Sequence, residues 1–176
     1  MNTPIRSTRL KLAIAIASFV AAPAAMAAAA TATSSSTVVA PIAIAKTADL
    51  AFGKFASGAT GGTVNVSTSG VRAVTGGVIA MSGVTPAAAQ FDVTGESGAT
   101  YSIALSGTTT LTSGSDTMAF ATNSDLTAGG ATSTNVTSGT LTGGAQSIYV
   151  GGELTVAANQ APGAYAGTVI ATVQYN

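Results

Sequence analysis

The sequence predicts an all-β protein: a single-domain, immunoglobulin-like antiparallel β-sandwich of about eight short strands. Three observations carry that reading. Apolar residues recur at every second position in short runs, the period of a half-buried strand. Clusters rich in Gly, Ser and Thr separate those runs as turns would, and 21 of the 176 residues are Gly. No segment carries an apolar stripe at helical spacing, and the one helix-like stretch, "TPAAAQ", is too short to nucleate by itself. Many short strands with Gly-rich turns and no helices belong to sandwiches.

The elements follow in order. "VVAPIAIA" (38–45) puts Val38, Ala40, Ile42 and Ile44 on one parity, with Pro41 marking an edge or the start of a strand. "DLAFGKF" (49–55) places Leu50, Phe52 and Lys54 on one side, with Gly53 as a bend. "GTVNVST" (62–68) alternates Val64 and Val66 with polar residues. "GVIAMSGVT" (77–85) is mostly apolar, as a strand buried on both faces would be. In "AQFDVTG" (89–95), Phe91 and Val93 face inward and Asp92 outward; in "ATYSIALSG" (99–107), Tyr101, Ile103 and Leu105 share a face. "DTMAFAT" (116–122) contributes Met118 and Phe120. Residues 123–144 are richest in Gly, Ser, Thr and Asn and predict a long loop or weak hairpin. "AQSIYVGGELTVAA" (145–158) reads as two strand halves around a bulge or bend at Gly151-Gly152. The run 164–175 is the longest clean alternation, preceded by a Pro162-Gly163 turn.

The first 27 residues read as a secretory signal peptide and not as part of the fold. Arg6, Arg9 and Lys11 precede an apolar run, "LAIAIASFVAA", which is too short to span a bilayer. Ala25 and Ala27 then form a small-x-small cleavage site. Residues 28–37, "AAATATSSST", read as an extended or flexible arm, and 38–176 as the sandwich domain. Removing the leader leaves Lys46, Lys54 and Arg72 against six acids, a net charge of −3. With no basic patch, nucleic acid is not an expected partner, and no stable membrane insertion is expected after signal removal. Charged residues are only 7% of the chain, yet 47% are hydrophobic, the reverse of a disordered composition. Cysteine is absent, so no disulfide staples the domain, and at this size hydrophobic burial can suffice without one.

Little chemistry is available. There is no His and no Cys, which removes the usual general base, the Ser-His-Asp triad and thiolate ligands. Phosphate-binding glycine loops and nucleophile elbows are also absent. Asp92 and Glu96 are the nearest pair of acids for glycoside hydrolysis, but each reads more simply as a surface or turn acid. Lys46 and Lys54 lack the spacing of a Ser–Lys dyad, and Asp116, Asn123 and Asp125 match no calcium loop. "NVS" at Asn65 and "NVT" at Asn135 match the glycosylation sequon, a weak signal in a Ser/Thr-rich chain. Tyr101, Tyr149, Tyr165 and Tyr175 fall at inward-facing positions, which makes them core residues and not sugar platforms. No catalytic residue, cofactor or metal is assigned, and no enzyme is expected.

One face of the run 164–175 reads Tyr165, Gly167, Val169, Ala171, Val173, Tyr175. Counted back from Asn176, Gly163 is the fourteenth residue and Tyr175 the second. This pattern resembles the carboxyl-terminal signature of chaperone–usher pilins. The resemblance implies an incomplete sandwich whose open edge takes a strand first from a periplasmic chaperone and then from a like subunit. Gly163, Tyr165, Val169, Ala171, Val173 and Tyr175 would form the edge that such partners read. The segments "PIAIAKTADLAFG", "FDVTGESGATYSIAL" and "YVGGELTVAANQAPGAYAGTVIATVQYN" resemble the secreted bacterial family known as domain of unknown function 4402. A more distant likeness is to spore-coat-U-like secreted proteins. The expectation is therefore an exported structural protein of the periplasm, outer surface or an extracellular filament. The alternative is a complete monomeric sandwich that binds carbohydrate or another surface component.

Overall fold

The structure, a computed structural model, describes residues 27–176; the leader's Arg6 to Ala25 lie outside the described residues. Residues 27–37 carry no strand or helix. Val38–Asn176 form one compact unit, an antiparallel β-sandwich of twelve strands and a single 3-10 turn. Twelve elements stand where the sequence suggested eight because several are three-residue edge pieces, too short to show a period of two.

The larger sheet is built around β11 (Ala145–Val156), which is twelve residues long and unbroken. On one side, its first half pairs with β6 (Ala89–Thr94) and its second half with β3 (Gly62–Val66). On the other side lies β9 (Asp116–Asp125), followed by β8 (Thr110–Ser113). β1 (Ala43–Ala48) extends the sheet beyond β6, and β4 (Arg72–Val74) beyond β3. The smaller sheet has the order β10 (Ser138–Thr140), β7 (Thr100–Gly107), β12 (Val169–Tyr175). A two-stranded ribbon joins β2 (Lys54–Ala56) to β5 (Ile79–Met81).

Alternation places the core. Phe91, Val93, Ile148 and Val150 from the larger sheet meet Tyr101 and Ile103 from the smaller one, and Leu141 closes that cluster. Val64, Met118, Phe120, Leu154 and Val156 form the second cluster, with the Phe52 ring set edge-on to Phe120 at 5.9 Å. Burying each of these large side chains yields roughly 1.5–3 kcal/mol, which makes the sheets' inner faces the principal source of stability.

Four expectations are corrected. Gly151 and Gly152 make neither a bulge nor a bend: the ladders of β11 run through them without a register shift. Their role is space, since a Cβ on Gly151 would meet the Val66 carbonyl, and one on Gly152 would meet the Phe120 ring. The two glycines lie where β11 passes from β6 to β3. Because the strand is continuous, buried Ile148 and Val150 fix its parity, and Tyr149 therefore points outward, not into the core. The apolar run 77–85 is not doubly buried: Ile79 and Met81 are 64% and 50% exposed on the short ribbon, and only Val78 is buried. Finally, Lys54 is exposed and does not share the inward side of Leu50 and Phe52.

The polar stretch after β9 is held down by buried hydrogen bonds. Asn123 Nδ2 donates to the Ala131 carbonyl at 2.8 Å, the Ala131 amide to Thr68 Oγ1 at 2.9 Å, and the Val136 amide to Ser124 Oγ at 3.0 Å. The loop proper is thus 126–137; the rest of the predicted stretch is taken up by the end of β9, by β10 and by the 3-10 turn Thr142–Gly144.

Candidate functional site

The six residues singled out near the end of the sequence divide into two groups. Val169, Ala171, Val173 and Tyr175 lie in β12, on its inner face. Gly163 and Tyr165 precede the strand. A Cβ on Gly163 would collide with Ser113 Oγ, so this position needs room, not a special backbone angle. Tyr165 Oη donates to the Ala161 carbonyl and accepts from Gln160 Nε2, both at 2.8 Å, which fixes its ring beside Leu50, Leu111 and Val169.

Among the described residues β12 pairs with β7 alone, in uninterrupted register from Val169↔Gly107 to Tyr175↔Tyr101. Just beyond each end, the Thr108 amide donates to Thr168 O and the Asn176 amide to Thr100 O. Antiparallel pairs alternate between bonded and non-bonded types. The even-numbered residues of β12 therefore face β7. The N–H and C=O groups of Val169, Ala171, Val173 and Tyr175 face the other way, and no backbone group among the described residues takes them.

On that open side lies β1, which also pairs with one strand only, β6. No backbone hydrogen bond joins β1 to β12 among the described residues. The interval between them exposes the core. Ile42, Ile44, Leu105, Val169, Ala171 and Val173 all pack on the first cluster yet are only partly buried. Toward the start of β12 the interval widens into a cavity of about 430 Å³ between Ala48, Phe91, Leu111, Phe120 and Val169. It adjoins a larger one of about 740 Å³ lined by Phe52, Phe55, Met81, Met118 and Tyr165, with Leu50 bordering both.

The opposite end is closed by one side chain. Tyr175 Oη donates to the Ala40 carbonyl at 2.8 Å and accepts the Glu96 amide at 2.6 Å. The Ala40 amide in turn donates to Glu96 Oε2 at 3.3 Å. Gly95 lets the phenol approach, because a Cβ there would strike Tyr175 Oη. The groove thus has a wide apolar end at Tyr165 and a clasped end at Tyr175.

The edges of the two bordering strands differ. β1 carries Lys46, ion-paired to Asp49, and a register shift between Lys46 and Ala48. Charges and bulges are the devices that keep an edge from recruiting another strand. β12, "VIATVQY", has no charge, no Pro and no register shift over seven residues.

The other candidate groups are not brought together. Asp92 Oδ1 accepts Gln90 Nε2 at 3.0 Å and Ser147 Oγ at 2.7 Å on the outer face of the sheet. These two hydrogen bonds, Gln90's the stronger influence, hold its carboxyl below the ordinary value of 3.8, against a smaller opposing effect of burial. Glu96 is occupied at the Tyr175 clasp. Asp125 caps its own turn through the Leu126 amide and Thr127 Oγ1, whereas Asp116 lies at the far end of the same ten-residue strand. No cluster of three or more acidic ligands occurs among the described residues. Lys46 is paired to Asp49. Asn65 is engaged with Thr132 O and Glu153 in mid-strand, and Asn135 lies exposed on the 126–137 loop. No helix of the described residues is long and apolar enough to cross a membrane.

The comparison with protein families agrees with the resemblance read from the sequence. The family model described as Domain of unknown function (DUF4402) matches residues 42–175, which includes all twelve strands and both borders of the groove. No curated protein matches the chain.

Proposed function

The chain belongs to the DUF4402 family, and on that premise we propose that it is an exported, non-catalytic structural subunit that joins its assembly by accepting a partner's β-strand along β12. The observation that carries this reading is the β12 edge: seven uncharged residues, four of which turn backbone groups outward that no backbone among the described residues takes, beside a half-open core. Strand addition uses both features. Main-chain hydrogen bonds hold the added strand, and its alternate side chains enter the pockets of the groove. This is the pilin-like role, with a periplasmic chaperone and then another subunit of the assembly as successive donors. The signal peptide read at residues 1–27 supplies the route out of the cytoplasm.

The chain has no cysteine, so one introduced at exposed Gln174 is a unique handle. In exporting cells, a short cross-linker at that site should yield an adduct with a second polypeptide. Recovery of monomer alone, with the protein folded and abundant, overturns the proposal. Electron microscopy of the cell surface with and without the protein tests the filament itself.

One observation favours a second reading, carbohydrate binding. Tyr149 stands outward on the larger sheet, opposite Gln90 on β6 and Asp125 on β9. An aromatic face flanked by amide and carboxylate groups suits a sugar ring. A glycan screen that returns no ligand removes this reading and leaves the first untouched.

A further inference from the structure

We infer that the strand filling this groove comes from a different polypeptide, one with alternating bulky aliphatic residues and a large apolar anchor, and not from residues 28–37 of a second copy. The inference rests on the strand-addition reading above. It follows from comparing the groove with the segment that would otherwise fill it.

The groove demands volume. At the start of β12 it opens into a cavity of about 430 Å³ against Phe91, Phe120 and Val169. The neighbouring cavity of about 740 Å³, walled by Phe52, Phe55, Met81, Met118 and Tyr165, shares its border with that one and offers room for a large apolar anchor. Farther along, Ala171 contributes only a methyl group between Val169 and Val173, and Leu105 opposite it is incompletely covered. Residues 28–37, "AAATATSSST", offer Ala, Thr and Ser at every position, so neither parity presents a branched aliphatic side chain. Val38 and Val39 are the first bulky residues, and the matched family domain begins at residue 42. Ten residues would reach along β12, since a strand rises about 3.4 Å per residue. The segment is long enough but too thin. Replacing an Ala by Ile adds three apolar carbons per pocket position. At the usual yield per buried carbon, discounted for a half-open site, that is on the order of tenfold in affinity per position.

The clasp adds a direction. Tyr175 closes one end through Ala40 and Glu96. The occupant's largest side chain therefore belongs at the other end, near Tyr165, and the added strand stops at the clasp. In an assembly, this chain acts as an acceptor for a donor unlike itself.

Three synthetic peptides test this against the full exported chain, with fluorescence anisotropy and melting temperature as readouts. The first alternates Ile or Leu with Thr over ten residues and carries a Phe at one end. The second is residues 28–39 of this chain. The third is the first peptide with its strand-bonding amides N-methylated. The inference expects the first to bind at least tenfold more tightly than the second and to raise the melting temperature, and the third to lose binding. Equal binding of the first two overturns the inference and leaves the open edge standing. Failure of both, or equal binding of the N-methylated peptide, overturns strand addition itself.

Discussion

Tyr101 and Tyr175 face each other across β7 and β12, yet the same substitution should destabilise the fold at Tyr175 and not at Tyr101. Tyr175 Oη has two partners, the Ala40 carbonyl and the Glu96 amide. A hydrogen bond contributes about 0.5–1.5 kcal/mol net, and both orphaned groups lie where water can replace the phenol. Tyr175→Phe should therefore cost about 1–2 kcal/mol. Unfolding entropy for a domain of this size converts that to a melting temperature lower by roughly 3–7 °C. Tyr101 is 0% exposed, and its hydroxyl has no partner. Burial also pushes its ionisation above the ordinary 10.0, as expected for a phenol in an apolar site. An unpartnered buried hydroxyl costs about 1–3 kcal/mol, so Tyr101→Phe should leave stability unchanged or raise it by up to about 2 kcal/mol. Thermal melts and urea titrations of both variants decide the matter. Comparable destabilisation by the two would show that Tyr101 has a partner. An unchanged melt for Tyr175→Phe would show that the clasp contributes nothing.

Other expectations concern the frame around the groove. Leu154→Ala, in the second cluster at 2% exposure, should cost about 2–5 kcal/mol in urea unfolding. Gly151→Ala should destabilise strongly and reduce soluble yield, because its Cβ meets the Val66 carbonyl; a normal melt would disprove the close approach. Deleting Val173 to Asn176 removes half of the β12 ladder together with the clasp, and should abolish cooperative melting and export. Asp92 has a lowered folded value, so it stabilises the fold above its unfolded value near 3.8, and that contribution is lost as pH falls below it. Asp92→Asn should accordingly flatten the acid limb of the stability curve below about pH 4. An unchanged limb would mean that Gln90 and Ser147 do not favour the ionised form.

The parts of the fold legible in the sequence were those fixed by local alternation. Val64 with Val66, Phe91 with Val93, Tyr101 with Ile103, and Met118 with Phe120 all face inward, as their spacing predicted. Tyr149 defeats local alternation because it sits in an unbroken apolar run, Ile148-Tyr149-Val150, whose parity only the continuous ladder of β11 decides. Whether a glycine pair bends a strand or makes room for a neighbour depends on what lies across it, here Val66 and Phe120, and that is nonlocal. The exposure of Ile79 and Met81 is hidden for a similar reason: an apolar run does not reveal that the strand it pairs with is a three-residue ribbon strand. The candidate edge was half legible. Its inward residues could be read from alternation, but a strand facing an open groove has the same period as one facing a filled core. What separates the two is nonlocal: among the described residues no backbone group pairs with the far side of β12.

That difference suggests how the edge could be closed without unfolding the domain. β1 already carries a paired Lys and a register shift, whereas β12 carries neither device. An inward-pointing charge is a further device by which natural edges resist strand addition. Ala171 is the place for one, since its methyl points into the half-open groove between Val169 and Val173. A Lys there can lay its aliphatic stem over those valines and keep its ammonium in water. Ala171→Lys should therefore melt within a few degrees of the parent and keep its β-rich circular dichroism. An incoming strand would have to bury that ammonium without a counter-charge, at several kcal/mol, so the Gln174 cross-link should fall at least tenfold. A folded Ala171→Lys variant that still cross-links at the parental level would show that partners do not use this edge.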